Sequence, residues 1–242
     1  MRTLKAIGSA GTLGLLVAGS LVFGSAQSAT AATCEPSPSN TFPGSAVLDT
    51  GFETNGFCGL VRTVGGDGTA TISTAQKKTG TRSAKLHVTD TAGSIANLSM
   101  PFTTTTKTAY ADGWFNITTA GVSGNNVPYF RFFSGSTRIA DCYRYNSNGQ
   151  MWLRVTTPAG FVYTKLTAGS VSMNAWHRVG MRVTTNGSKS TVQVWLDNTL
   201  KYSSTAVNIN ATTLSKVQMG AEHNRQKGDE YIDDVIIKRS SS

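Results

Sequence analysis

Apolar and polar residues alternate along short segments through most of this chain, and the alternation is clearest near residue 180. Alternate positions there hold Val179, Met181 and Val183, and the positions between them include Arg178 and Arg182. A period of two residues is typical of a β-strand, because successive side chains point to opposite faces of a sheet. The segment is therefore predicted to be a strand with one face on a hydrophobic core.

The same alternation recurs in the next segment, where Val192, Val194 and Leu196 share one face and Gln193, Trp195 and Asp197 the other. Similar segments follow one another along the chain, and no segment has a sustained helical period. The predicted strands are Ala46–Phe52, Ala70–Ser73, Ala84–Thr89, Ile95–Met100, Tyr110–Ile117, Val127–Phe133, Ile139–Tyr145, Met151–Thr156, Phe161–Leu166, Trp176–Thr184, Thr191–Leu196, Val217–Gly220 and Tyr231–Lys238. Between them, Asn148-Gly149, Asn186-Gly187 and Asp197-Asn198 suit tight hairpins. An all-β, two-sheet antiparallel sandwich is predicted.

The first 31 residues have the pattern of an export signal. Arg2 and Lys5 precede an apolar stretch from Ala6 to Phe23, and Ala29-Thr30-Ala31 offers a small-residue cleavage site. A membrane anchor is less favoured, because glycine and serine interrupt the stretch. We expect a secreted protein with a signal peptide at 1–31, a Pro/Ser-rich arm at 32–44 and one sandwich domain at 45–239.

The chain is basic, with 22 Lys and Arg against 13 Asp and Glu and a formal net charge of +9. Such a charge favours acidic glycans, cell-wall polymers or nucleic acid as partners, but it also serves solubility alone. Three cysteines follow the signal peptide: Cys34, Cys58 and Cys142. A Cys34–Cys58 disulfide is predicted, because it would fasten the arm to the domain in an oxidising compartment. Cys142 is expected to be a buried thiol.

Several short motifs resemble one superfamily. They are Trp176-His177-Arg178-Val179, Val192–Asn198, Tyr231-Ile232-Asp233-Asp234-Val235, Gly51-Phe52-Glu53 and Thr79–Leu86. Together they are similar to laminin-G-like and concanavalin A-like jelly-roll domains, and Gly51-Phe52-Glu53 and Thr79–Leu86 also resemble secreted bacterial carbohydrate-binding modules. The resemblance implies a jelly-roll β-sandwich and leaves the activity open.

Acidic residues occur in both the first and the last predicted strand. An acidic doublet, Asp233-Asp234, is costly in a buried strand unless it has a partner. We expect the two terminal strands to be neighbours that share a structural calcium ion, because carboxylates and carbonyls are its ligands. The resemblance favours Glu53 and Asp233 as ligands, with Asp49 on the same face as Glu53. The alternative is that the doublet pairs with Lys85 or Arg82.

A second group of residues is aromatic and basic. Tyr143 and Tyr145 share one strand face, Trp152 and Arg154 share another, and Arg131 lies between two aromatic residues on a third strand. Sugar rings stack on aromatic side chains, and guanidinium groups bind carboxylates. These five residues are predicted to line a polysaccharide-binding groove. The alternative is that they pack in the core.

A third group is the polar loop after residue 221, which contains His223, Asn224 and Arg225. Jelly-roll polysaccharide lyases use such residues to remove a proton next to a uronate and to neutralise its carboxylate. With Tyr143 or Tyr145, this loop could serve a lyase, although a solvated loop has the same composition. The acidic strand motif of sandwich glycosidases, a Gly-x-Ser-x-Gly elbow and a His-Glu-x-x-His zinc motif are absent from the sequence.

We therefore expect a secreted, non-catalytic binding protein for a polysaccharide or cell-surface glycan. The first alternative is a lyase that cleaves a uronic-acid polymer by β-elimination, and the second is an adhesion protein that mediates protein contacts. We expect a monomer, no nucleic-acid partner and no membrane span.

Overall fold

The computed structural model of the chain describes residues 32–34, 39–103 and 105–240. These residues form β-strands joined by turns, with one short 3-10 turn at Asn224–Gln226. The strands in the described part of the chain are β1 (Ala32–Cys34), β2 (Ser45–Thr50), β3 (Val61–Gly65), β4 (Thr69–Ser73), β5 (Ser83–Val88), β6 (Ile95–Pro101), β7 (Thr108–Thr119), β8 (Asn126–Ser134), β9 (Thr137–Tyr145), β10 (Met151–Thr157), β11 (Gly160–Lys165), β12 (His177–Thr184), β13 (Ser190–Leu196), β14 (Thr199–Val207), β15 (Lys216–Ala221) and β16 (Gly228–Ser240). Within these residues, no helix is long and apolar enough to cross a membrane.

The strands of the described residues form two sheets packed face to face. The nine-stranded sheet has the order β1-β2-β16-β7-β12-β13-β14, and β5, which also pairs with β4, joins it at β16. The seven-stranded sheet has the order β11-β10-β9-β8-β15-β6-β3. The pairing is antiparallel except between β1 and β2. The predicted all-β sandwich is confirmed.

The predicted neighbours at the two ends of the domain are paired in the structure. β2 and β16 are antiparallel, with Asp49 opposite Ile236. β16 is long enough to pair along the same edge with β5 first and with β2 afterwards. The doublet Asp233-Asp234 lies where its neighbour changes from one strand to the other.

The hydrophobic core lies between the sheets, and the faces assigned from the alternation are confirmed. Val179, Met181, Val183, Val192 and Val194 are all fully buried. The thiol of Cys142 is also buried in the core, and desolvation raises its pKa to about 12.

Three edge strands of the described residues were not predicted: β1, β3 and β14. β3 and most of β14 are exposed on both faces, so they lack the alternation that marks a strand with one buried face. The tight turn at Asp197-Asn198, between β13 and β14, was predicted, and its two residues have φ values of 49° and 64°. The predicted signal peptide and the side chain of Cys34 lie outside the described residues, so the signal and the disulfide stay predictions.

Candidate functional site

Three carboxylates meet the same loop at the junction of β2, β5 and β16. Glu53 accepts hydrogen bonds from the backbone N–H of Thr81 at 3.0 Å and of Arg82 at 2.9 Å. Asp233 Oδ2 accepts one from the backbone N–H of Lys78 at 2.8 Å. The three carboxylates therefore fasten residues 78–82 to the gap between β5 and β2.

The acidic doublet departs from regular strand geometry, because the register shifts between Asp233 and Ile236 and Asp234 has φ of 50°. Both carboxylates thus reach the same loop, and Asp234 Oδ1 accepts a hydrogen bond from Thr79 Oγ1 at 2.8 Å. In a regular strand, successive side chains point to opposite faces. The bulge is therefore the reason that both members of the doublet meet this side.

Burial makes the doublet difficult to ionise. Desolvation raises the pKa of Asp233 to about 7, and it also raises the pKa of Asp234. Desolvation acts on Glu53 as well, but hydrogen bonds from Thr81 and Arg82 outweigh it and lower the Glu53 pKa. Asp234 Oδ2 is buried with no hydrogen-bond partner among the described residues.

The carboxylates offer the oxygen donors that calcium prefers. However, the described residues contain no group of three or more His, Cys, Asp or Glu side chains placed to hold a metal ion. Glu53 and Asp233 are bound by backbone amides, and Lys85 forms an ion pair with Asp229 at 3.5 Å instead of with the doublet. The calcium site at Glu53, Asp49 and Asp233 stays a prediction.

A groove lies on the outward face of the seven-stranded sheet. It has a volume of about 470 Å³ and is lined by Gly124, Asn125, Asn126, Tyr143, Tyr145, Trp152, Arg154, Tyr163 and His223. We call it the aromatic groove. Four of the five residues predicted to bind a glycan line it, namely Tyr143, Tyr145, Trp152 and Arg154.

The register of β9 and β10 explains why these side chains meet. Trp152 lies opposite Tyr143, and Arg154 lies opposite Asp141. Tyr145 and Trp152 approach edge to face, with ring centroids 6.3 Å apart. The Arg154 guanidinium lies 5.9 Å from the centroid of the Tyr143 ring. The groove therefore presents aromatic surfaces beside a cation.

Arg131 does not line the aromatic groove. It shares a row with Asp141 and Arg154 across β8, β9 and β10, but it is fully buried. Its guanidinium donates to Gln218 Oε1 and Gln226 Oε1 at 3.0 Å each. The turn that follows β15 covers it, and this tertiary contact is the reason the prediction for Arg131 was wrong. Desolvation lowers the Arg131 pKa to about 10.

The predicted lyase residues separate into two groups. His223 and Tyr143 line the aromatic groove. Arg225 contacts the groove at Asn125. With the Asn125 amide turned so that its oxygen points to Arg225, this oxygen accepts a hydrogen bond from Arg225 Nε at 3.1 Å. Asn224 is turned away and donates to the backbone oxygen of Asp90 at 2.8 Å, so it does not reach the groove.

Two titratable residues of the groove, His223 and Tyr143, differ in proton affinity. Desolvation, followed by the charge of Arg131, lowers the His223 pKa and favours a neutral imidazole. Desolvation raises the Tyr143 pKa and favours a neutral phenol. At neutral pH, His223 is therefore able to accept a proton and Tyr143 to donate one.

The groove and the layer beneath it contain more basic than acidic residues. Arg154 is paired with Asp141 at 2.8 Å. Arg131 and Arg138 share Glu222, each with an N–O distance of 3.3 Å. With exposed Arg225 added, the basic residues exceed the acidic ones, so the groove suits an anionic ligand.

Sequence reasoning missed four lining residues: Gly124, Asn125, Asn126 and Tyr163. Tyr163 lies opposite Arg154 on β11, a strand that was predicted without an assigned outward face. Gln226 was also missed, although it connects Arg131 to Asn126, whose Oδ1 accepts from Gln226 Nε2 at 2.7 Å. The sequence signal that could have indicated this side of the groove is the pair of adjacent asparagines, Asn125 and Asn126, at the start of β8.

No protein-family model and no curated protein matches the chain. Similar solved structures include an endo-β-1,4-glucuronan lyase from the fungus Trichoderma reesei, with a TM-score of 0.61 and 13% identity over 74% of this chain and 90% of that one. The cellulose induced protein Cip1 has a TM-score of 0.61 and 15% identity, over 80% and 97% of the two chains. A sialidase has a TM-score of 0.56 and 11% identity, over 78% of this chain and 18% of the sialidase. At these identities the likeness establishes the β-sandwich fold, and no match identifies a laminin-G domain specifically.

Proposed function

We propose that the chain is a secreted protein that binds a polysaccharide or cell-surface glycan in the aromatic groove. The observation that supports this most strongly is the convergence of Tyr143, Tyr145, Trp152 and Arg154 on one open groove. Aromatic rings stack on the apolar faces of sugar rings, and planar guanidinium and amide groups donate hydrogen bonds to the sugar oxygens. Proteins of similar fold include ones named as a glucuronan lyase and a sialidase.

Anionic polymers fit the groove better than neutral ones. Asp141 holds the Arg154 guanidinium in place through two hydrogen bonds. Arg225 is exposed to solvent beside Asn125. A uronate carboxylate meeting these guanidinium groups would form charge-assisted hydrogen bonds, which are stronger than neutral ones. We therefore propose a uronic-acid polymer as the ligand.

Native affinity electrophoresis tests this function. Gels that contain glucuronan, alginate or polygalacturonate should slow the wild-type protein, and Trp152→Ala should weaken binding by about tenfold or more through loss of a stacking surface. Leu200→Ala is the matched control, because Leu200 is exposed on the other sheet. The proposal fails if no acidic polymer slows the protein or if Trp152→Ala migrates as wild type does. Absence of all glycan binding would favour an adhesion protein.

A lyase is the second candidate, because His223 and Tyr143 line the same groove with complementary proton affinities. In a β-elimination, His223 would take the proton from C5 of the uronate. The C5–H electron pair would form the C4=C5 double bond, and the C4–O4 bond would break. Tyr143 would give its proton to the departing oxygen, which leaves a 4,5-unsaturated uronate at the new chain end.

Ultraviolet absorbance of unsaturated chain ends distinguishes the two candidates. If the protein is a lyase, His223→Gln removes the product while the affinity gel still shows binding. Asn224→Ala is the control in the same turn, because Asn224 faces Asp90, and it keeps the product. If wild type releases no absorbing product from any of the three polymers, non-catalytic binding remains and the lyase is excluded for them.

A further inference from the structure

A second pocket lies on the outward face of the nine-stranded sheet, on the opposite side of the sandwich from the aromatic groove. Asp112, Gly180 and Trp195 lie in one row across β7, β12 and β13. Gly180 has no side chain, and the space above it forms a pocket of about 250 Å³. We call it the glycine pocket. Ligand pockets commonly have about 300–1,000 Å³, so this one suits a small group such as a single sugar ring.

One wall of the glycine pocket is aromatic. Trp195 is half-buried, and its ring centroid lies 5.0 Å from that of Phe42. Phe42 in turn stacks on Tyr110 with centroids 5.2 Å apart. Lys238 Nζ donates to the backbone oxygens of Asn40 and Phe42 at 3.0 and 2.7 Å. This wall is therefore fixed in place even though part of it comes from the N-terminal arm.

The opposite wall is polar and rigid. Asp112 is 4% exposed, and Arg178 donates to it through Nε at 2.9 Å and through Nη2 at 2.5 Å. Asn40 Nδ2 donates to the same carboxylate at 3.1 Å, and Arg178 Nη1 donates to Asn198 Oδ1 at 3.1 Å. Among the described residues, these bonds use three of the five guanidinium N–H groups, so Arg178 keeps donors for a ligand.

The charges of this wall cancel, because Asp112 pairs with Arg178. The aromatic groove also has a paired arginine, Arg154 with Asp141, but it has exposed Arg225 in addition. Asp112 neutralises Arg178 directly, so a carboxylate ligand would meet the Asp112 charge as well as the guanidinium. A hydroxyl group has no charge for Asp112 to repel, and its oxygen accepts hydrogen bonds from Arg178 and from the Asn198 amide. An aromatic surface beside rigid amide and guanidinium donors matches a ring with one apolar face and hydroxyls at its rim.

We propose that the glycine pocket is a second carbohydrate-binding site, which takes one pyranose residue of a neutral glycan. Trp195 stacks on the ring, and Arg178 and Asn198 donate to its hydroxyls. The two sites lie on opposite faces of the sandwich, so a ligand in the glycine pocket leaves the aromatic groove free. The proposal for this pocket stands without the function proposed for the aromatic groove.

Affinity gels that contain hydroxyethylcellulose, laminarin or galactomannan test this site. We expect at least one of these neutral polymers to slow wild type. A Cβ at Gly180 would lie 3.4 Å from Phe42 and Trp195 atoms, an ordinary contact, so Gly180→Ala fills part of the pocket floor without displacing these rings. It should weaken neutral-glycan binding by about tenfold.

Asn198→Gly is a second variant, since glycine accepts the φ of 64° at this turn and lacks the amide. It should weaken binding of the same polymer without unfolding the protein, as checked by thermal melting. Trp152→Ala, in the aromatic groove, should leave neutral-glycan binding unchanged. The proposal is overturned if no neutral polymer slows wild type, if neither pocket variant weakens the retardation, or if Trp152→Ala abolishes it.

Discussion

Arg154 and Asp141 form a two-point ion pair on the outward face of the seven-stranded sheet, with Nε–Oδ1 and Nη2–Oδ2 distances of 2.8 Å each. The Asp141 side chain is 1% exposed and the Arg154 side chain 12%. The carboxylate therefore lies beneath the aromatic groove, and it holds the Arg154 guanidinium next to the space where a ligand would bind.

Replacing Asp141 with Asn should destabilise the protein. Loss of one partner from a buried ion pair commonly costs about 3–5 kcal/mol, because the remaining charge is left uncompensated. Urea unfolding measures this change. Asp90→Asn is the control, because Asp90 forms a solvent-exposed ion pair with Lys227. Its loss should change the free energy of unfolding little. Equal unfolding midpoints for Asp141→Asn and wild type would contradict the structural role of this pair.

Asp233 should make stability depend on pH. Desolvation raises its pKa in the folded protein to about 7, above its ordinary value of 3.8. The folded state therefore binds a proton that the unfolded state releases between these pH values, so stability rises as pH falls through about 7. The gain is at most about 1.4 kcal/mol per pH unit. It should be smaller in Asp233→Asn, where the raised pKa of Asp234 still contributes, as measured by urea unfolding from about pH 8 to about pH 5. A wild-type profile parallel to that of the variant contradicts the prediction.

Calcium should stabilise the protein at the junction of β2, β5 and β16. A divalent cation would relieve the repulsion between Asp233 and Asp234 that contributes to the raised pKa of Asp233. Calcium at about a hundred times its Kd adds about 2.7 kcal/mol. Thermal melting above neutral pH should show a higher Tm with calcium and a smaller gain in Asp234→Asn. Sodium chloride at the same ionic strength serves as the control. The calcium site is refuted if the purified protein contains no calcium and chelation leaves its Tm unchanged.

Thiol chemistry tests the cysteine assignments. Cys142 is fully buried with a pKa of about 12, so it should not react with a thiol reagent in the folded protein. After unfolding without reductant, a Cys34–Cys58 disulfide leaves Cys142 as the single reactive thiol among the cysteines that follow the signal peptide. A count of three reactive thiols would show that the predicted bridge is absent.

The sequence was most informative where one face of a strand is buried. Val179, Met181 and Val183 occupy alternate positions because one face of their strand packs on the core. This two-residue period is visible in the sequence alone. β14 has no such asymmetry, because it lies at an edge with solvent on both sides. Edge strands of this kind form through pairing with a neighbour, which no local pattern records.

Site residues were predictable when their own strand determined their exposure. Trp152 and Arg154 alternate with buried Met151, Leu153 and Val155, so their outward direction followed from β10 alone. Arg131 points to the same face, yet Gln226, distant in sequence, covers it. Asp112 and Arg178 likewise lie on strands that are far apart in sequence but paired in the sheet. The glycine pocket could therefore not be predicted without knowledge of the strand order.

The most direct measurement of the central claim follows the indole N–H signals of the four tryptophans by NMR. Each signal is assigned with a Trp→Phe variant, and uronic-acid oligosaccharides are then titrated into the protein. Trp152 Nε1 is buried without a hydrogen-bond partner among the described residues, and its ring lines the aromatic groove. We expect the Trp152 signal to shift with saturation while the Trp195 signal stays in place. An unchanged Trp152 signal, with or without shifts elsewhere, would contradict the proposed glycan site.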